Sequence, residues 1–265
     1  MARPFTHLAP EVMRSGPPPG QARRELLFIH GAWHGPWCWD GLAGPLAADG
    51  FGVNRLALPG HGDRAWPLPA TTSLNDYADL ARRAAAAIDR PVLVGHSLGG
   101  WLAMKVLEVA DLPAVLIAPL PPRGLPWLRL LRMMAGFPAA VAPCLALRPL
   151  RLTSPAMAGR LLWNPALGPA EQARRWQRLV AEPGRVGLEM ALGLVPCRPR
   201  PGRAPRLVVA AGRDYFLPQS RMRGLARSLG AGLAGIAGAA HAPWPEQAPA
   251  LQELLRDFLA GLERA

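Results

Sequence analysis

Short apolar runs recur along the chain at intervals that helices can fill. Leu26-Leu27-Phe28-Ile29, residues 52–58, Val92-Leu93-Val94, Ala114-Val115-Leu116-Ile117 and Leu207-Val208-Val209-Ala210 are continuous rather than alternating. That pattern marks strands buried on both faces. Residues 233–236 form a weaker sixth run. Between the runs, residues 39–49, 74–88, 98–110, 221–229 and 246–262 have helical character; Asn75-Asp76 ahead of Ala84 to Ala87 gives the second a polar start and a high-propensity body. Strands and helices in alternation predict an α/β protein whose mostly parallel sheet, of about six strands, is flanked by helices.

The alternation stops from residue 119 to residue 202. No run there reads as a strand, but 127–134 and 170–180 are amphipathic at helical spacing, which predicts a helical cap inserted between two strands of the sheet. Residues 1–22 are rich in proline and lack periodicity, so they read as a flexible tail. The expected organisation is a tail (1–22), a core built from 23–119 and 204–265, and a cap (120–203).

Half of the 265 residues are apolar, enough for a substantial core. The formal charge is +12, and Lys105 is the one lysine among 30 basic residues. Residues 120–203 hold 13 arginines against three acids, Glu171, Glu182 and Glu189, so +10 of the +12 sits in the expected cap. This is either a solvated arginine-rich surface or a cationic patch for an acidic substrate, a carrier protein or an anionic lipid surface. No nucleic-acid motif or aromatic-basic repeat accompanies it, so nucleic acid is not an expected partner. Cys38, Cys144 and Cys197 form no CxxC pair, which points to a reducing cytoplasm rather than to disulfides or structural zinc. The start of the chain lacks a signal-like apolar region, and the longest uncharged apolar run, 15 residues over 133–147, is broken by Pro138 and Pro143. No transmembrane segment is expected.

The chemistry concentrates in Gly95-His96-Ser97-Leu98-Gly99-Gly100, directly after the run ending at Val94. A serine between glycines at a strand-to-helix corner adopts strained backbone angles that lift its hydroxyl clear of the sheet. A serine needs a base to take its proton and a group to orient that base. Of six histidines, His7 lies in the tail, His96 inside the turn, and His30, His34 and His61 in loops at strand ends, where they read as loop-ordering residues. His241 follows the last weak strand and precedes the C-terminal helix. Asp214 follows the strand-like run 206–211 at the same expected sheet edge, whereas the run ending at Ile117 is followed by Ala118 and Pro119 and supplies no acid. Ser97, Asp214 and His241 are therefore the candidate catalytic residues. No metal-ligand cluster is visible, and 95–100 lacks the lysine and spacing of a phosphate loop, so no metal or other cofactor is expected.

These motifs together resemble the α/β-hydrolase fold, from about residue 25 to the C-terminus. His30-Gly31-Ala32-Trp33 is similar to the oxyanion loop of that family, Leu58-Pro59-Gly60-His61-Gly62 to its next strand-end loop, and residues 95–99 to its nucleophile elbow. The resemblance implies an oxyanion hole made by the backbone N–H groups of Ala32 and Leu98. The longer loop from His30 to Trp39 is similar to that of the plant methylesterase and hydroxynitrile lyase branch. Those lyases carry a threonine where this chain has Gly31 and a lysine where it has Ala242, and both departures argue against cyanohydrin cleavage. The implied activity is serine hydrolysis of a carboxylic ester, lactone or thioester of a small or medium apolar molecule, with an acidic substrate as the reading that the cap's charge adds. Lyase, perhydrolase or cofactor-independent oxygenase chemistry on the same fold, or a non-enzymatic ligand receptor, stand as alternatives. Trp33, Trp127, Leu131 and Met134 are the candidate substrate contacts, with Arg123, Arg129 and Arg132 between the cap positions.

Overall fold

The continuous apolar runs form the interior of one sheet in a computed structural model that describes residues 9–62, 68–69, 71–138 and 146–264. Its seven strands are β1 (Glu11–Ser15), β2 (Glu25–Ile29), β3 (Gly52–Ala57), β4 (Val92–His96), β5 (Ala114–Ile117), β6 (Arg206–Ala211) and β7 (Gly232–Ile236). They lie in the order β1-β3-β2-β4-β5-β6-β7, all neighbours parallel except β1, which runs antiparallel to β3. Register pairs Ile29 with Gly95, His96 with Ile117, and Ile117 with Val209. The loops leaving the parallel strands therefore emerge together at one edge, where open α/β sheets place their sites.

Helices fill the connections: α1 (Asp40–Ala48), α2 (Leu74–Ala86) and α3 (Leu98–Leu107) before β5, then α4 (Trp127–Gly136), α5 (Pro155–Leu162), α6 (Pro169–Gln177) and α7 (Gly184–Leu192) between β5 and β6, then α8 (Gln219–Leu229) and α9 (Trp244–Arg264). The start of α2 is fixed by a capping box, in which the Ser73 N–H donates to Asp76 Oδ2 at 2.8 Å. Two helices of the insertion were not legible as helices. α5 opens on Ser154, whose Oγ accepts the Met157 N–H at 3.2 Å, and on Pro155; α7 closes on Gly193 in the left-handed region at φ +63. Both are short, eight and nine residues, and their ends are better marked than their bodies.

β1 corrects two expectations, the tail over 1–22 and the count of about six strands. Its residues contribute nothing fully buried, so hydrophobic patterning has little to register. Backbone pairing holds it, with Val12 opposite Leu56, together with an ion pair between Arg14 and Glu25 at 2.6 Å. Cys38 and Cys197 are buried free thiols; burial holds the first well above the usual thiol range and pushes the second up to about 12, so both stay protonated. Cys144 lies outside the described residues. Among the described residues no helix is long and apolar enough to cross a membrane.

Candidate active site

Ser97 occupies the corner between β4 and α3 with φ +50 and ψ −115, a conformation side chains rarely adopt. The corner is held by the Ser97 N–H donating to Ile117 O at 3.0 Å and by Ser97 O accepting the Leu120 N–H at 2.9 Å. It closes because two neighbours lack side chains. A Cβ on Gly95 would fall on the carbonyl of Gly99, and one on Gly99 would fall on the carbonyls of Ile29 and His30. Trp33, after β2, and Ala118, after β5, also have positive φ, +63 and +40. Three strained non-glycine residues thus gather at the ends of adjacent strands.

His241 Nε2 stands 2.9 Å from Ser97 Oγ, and His241 Nδ1 stands 2.8 Å from Asp214 Oδ2. These partners assign a proton to Nδ1, which donates to Asp214, and leave Nε2 to accept from the serine. Asp214 is fixed through its other oxygen, which accepts the N–H groups of Phe216 at 2.8 Å and Leu217 at 3.0 Å. The three residues come from the ends of β4, β6 and β7, and the fold brings them together as the sequence order implied. His96 holds the loop that carries His241: its ring donates to the His241 carbonyl at 2.8 Å.

Ala32 lies beside Ser97 on the wall of the same cavity, and Leu98 is the first residue of α3, where an amide has no acceptor within the helix. The loop carrying Ala32 is clamped by a residue that sequence reasoning counted only as one of three acids in an arginine-rich stretch. Glu182 is fully buried; its carboxylate accepts the Trp33 N–H at 2.9 Å, the His61 Nε2–H at 2.8 Å and the Tyr77 hydroxyl at 3.2 Å. His61 also donates through Nδ1 to Pro59 O at 2.8 Å, so both ring nitrogens carry protons and the ring is cationic. Despite burial, Glu182 beside it raises the His61 pKa, and His61 in turn lowers that of Glu182. The Trp33 indole N–H donates to Leu150 O at 3.2 Å, and Trp33 O accepts the Val180 N–H at 2.9 Å. Leu150 and Glu182 are themselves bridged backbone to backbone.

The remaining histidines order loops while staying neutral. His30 donates from Nδ1 to Gly31 O at 2.9 Å and accepts the Leu58 N–H on Nε2 at 3.2 Å. His34 donates to Ala32 O at 2.9 Å. Burial lowers the pKa of all three, to about 4 for His34 and well below the usual value for His30 and His96.

Ser97 and His241 open into a cavity of about 230 Å³ whose other walls are apolar. Trp33 and Met134 line it as expected, joined by Leu130, Met133, Met157 and Phe216. Trp127 and Leu131 do not. They flank Met134 on the outward edge of the same apolar arc of α4, 65% and 50% exposed, while Leu130 and Met133 on its inner edge line the cavity. No arginine lines the cavity among the described residues.

The model described as the alpha/beta hydrolase family matches residues 26–252, and the chain belongs to that family. Norfluorocurarine synthase 1 of a Strychnos species is 33% identical over 92 residues, 34% of this chain and 35% of that protein. Methylesterase 10 of Arabidopsis thaliana is 34% identical over 83 residues, 30% of each chain. The chain spans about a third of the length of the curated relatives it matches. Among solved structures, the esterase EaEST of Exiguobacterium antarcticum superposes with a TM-score of 0.75 at 15% identity, covering 95% of both chains, which shows the shared fold.

Proposed function

We propose that the chain is a serine hydrolase that cleaves a carboxylic ester, or a related lactone or thioester, of a small or medium apolar molecule through an acyl-enzyme. The observation that carries this reading is the Ser97–His241–Asp214 relay opening into an apolar chamber. Ser97 Oγ attacks the carbonyl carbon as His241 Nε2 takes its proton, and Asp214 stabilises the imidazolium. The N–H groups of Ala32 and Leu98 receive the developing oxyanion, a contribution worth about 10²- to 10³-fold per donor. His241 then protonates the departing alcohol, and water, deprotonated by His241, releases the acid and restores Ser97.

Similarity to methylesterase 10 supports ester chemistry. The cavity, about 230 Å³, lies below the roughly 300–1,000 Å³ of sites for drug-sized ligands, which favours a short acyl group. Among the described residues no arginine lines it, which favours an uncharged one. The test is hydrolysis of p-nitrophenyl esters of increasing chain length. Short neutral esters turn over fastest, and Ser97→Ala lowers kcat by on the order of 10⁶ without altering the circular dichroism spectrum. Equal rates for Ser97→Ala and the wild type would overturn the reading.

A further inference from the structure

Among the helices that line the cavity, α4 carries one broad apolar arc, wider than the cavity needs. Leu130, Met133 and Met134 of α4 line the chamber, while Trp127, Leu128 and Leu131 carry the apolar arc on past Met134 to solvent. α4 buries no residue fully. The end of α7 lies against its start through the Leu125 N–H donating to Ala191 O at 3.2 Å, and there Leu192 and Leu194 are 50% and 56% exposed. Contiguous exposed apolar groups of this kind mark a surface that another phase or molecule covers.

The charges around this face select what covers it. From Leu112 to Ala170 the sequence has no acidic residue, whereas Arg123, Arg129 and Arg132 border or interleave the exposed apolar groups. Arg123 and Arg132 are exposed and Arg129 is half-buried. The one acid of α7, Glu189, is buried and held by Arg185 at 2.8 Å and by the Leu74 N–H at 2.7 Å, so it does not offset them. A second copy docking face to face would set arginine against arginine. A helix with Trp and Leu on one strip and arginines along it instead matches the boundary between anionic headgroups and acyl chains, where the indole lies at headgroup level and guanidinium groups meet phosphates.

We infer that the outer face of α4 docks the protein reversibly on an anionic phospholipid surface. The docked orientation sets the rim residues Met134 and Leu192, which also line the chamber, next to the apolar layer. The inference does not depend on ester hydrolysis, because docking is read without turnover.

The test is co-sedimentation of the whole protein with phosphatidylcholine vesicles, with and without phosphatidylglycerol. Binding is strong only with phosphatidylglycerol and weakens as salt is raised. Arg129→Gln with Arg132→Gln lowers the partition coefficient by about thirtyfold, from roughly a fivefold loss per basic group at the surface, and leaves turnover of a short soluble ester unchanged. Trp127→Gln with Leu128→Gln abolishes sedimentation. Equal binding to neutral vesicles, no binding, or binding unchanged in both variants overturns the proposal. So does light scattering that shows a dimer of the wild type lost in Trp127→Gln with Leu128→Gln, since the face would then belong to a second copy.

Discussion

The two ends of the helical insertion meet the body of the protein in opposite ways. Around Leu150 and Glu182, the insertion reaches the loops after β2 and β3 through buried hydrogen bonds and one buried ion pair, on Trp33 and His61. At α4 it covers the chamber with apolar side chains and buries none of them fully. Directional contacts hold the loop that carries Ala32, and adaptable apolar ones cover the chamber. A buried charge tolerates little displacement, since each lost partner leaves an unsatisfied group, whereas leucine and methionine over a chamber can shift with small cost.

This contrast is breakable. Glu182→Ala strands the His61 cation and the Trp33 N–H together, and is expected to cost about 3–5 kcal/mol, read as a fall in unfolding midpoint in denaturant. If stability stayed within experimental error, the clamp would not be a clamp. The pH dependence follows from the same neighbourhood. His34, with its pKa held down at about 4 against an ordinary 6.5, favours the folded state fully above 6.5, and this contribution is lost as pH falls through that window. The loss is on the order of 3 kcal/mol, and the lowered values of His30 and His96 act in the same direction. The His61–Glu182 pair has the other sign on its histidine side. Its His61 part is complete below 6.5 and lost as pH rises through the elevated pKa, and its Glu182 part is complete above 4.5 and lost as pH falls through the depressed one. The midpoint of thermal unfolding therefore falls between pH 6.5 and pH 4, and falls less in His34→Gln; a flat profile would contradict the neutral, buried histidines.

Smaller effects belong to α4. Leu130→Ala or Met133→Ala enlarges the chamber and shifts the preferred ester by one or two carbons, a change of about 1–3 kcal/mol in relative kcat/KM. Leu128→Gln, on the outer face, leaves stability within about 0.5 kcal/mol of the wild type. A large loss there would mean that α4 is packed as firmly as the Glu182 end.

The sequence carried the positions tied to strand ends. Ser97, Asp214 and His241 each follow a run whose strand character is local, so the sheet edge that gathers them could be inferred. Glu182 could not be, because its partners Trp33, His61 and Tyr77 are 149, 121 and 105 residues away and nothing local marks a carboxylate for burial. Trp127 and Leu131 were misplaced for a different reason. α4 is apolar at 127, 128, 130, 131, 133 and 134, one arc wider than half the helix, and only packing chooses which part of it faces inward. β1 escaped because an edge strand rests on backbone pairing, which composition does not record.

The central claim is that Ser97 is an activated nucleophile facing an apolar chamber. Intact-mass and peptide analysis after reaction with an alkyl fluorophosphonate tests it without knowledge of the natural substrate. The account predicts one adduct per chain, on Ser97, forming faster with short alkyl groups than with long ones and absent from both Ser97→Ala and His241→Ala. An unlabelled wild type, or an adduct on any other residue, would contradict it.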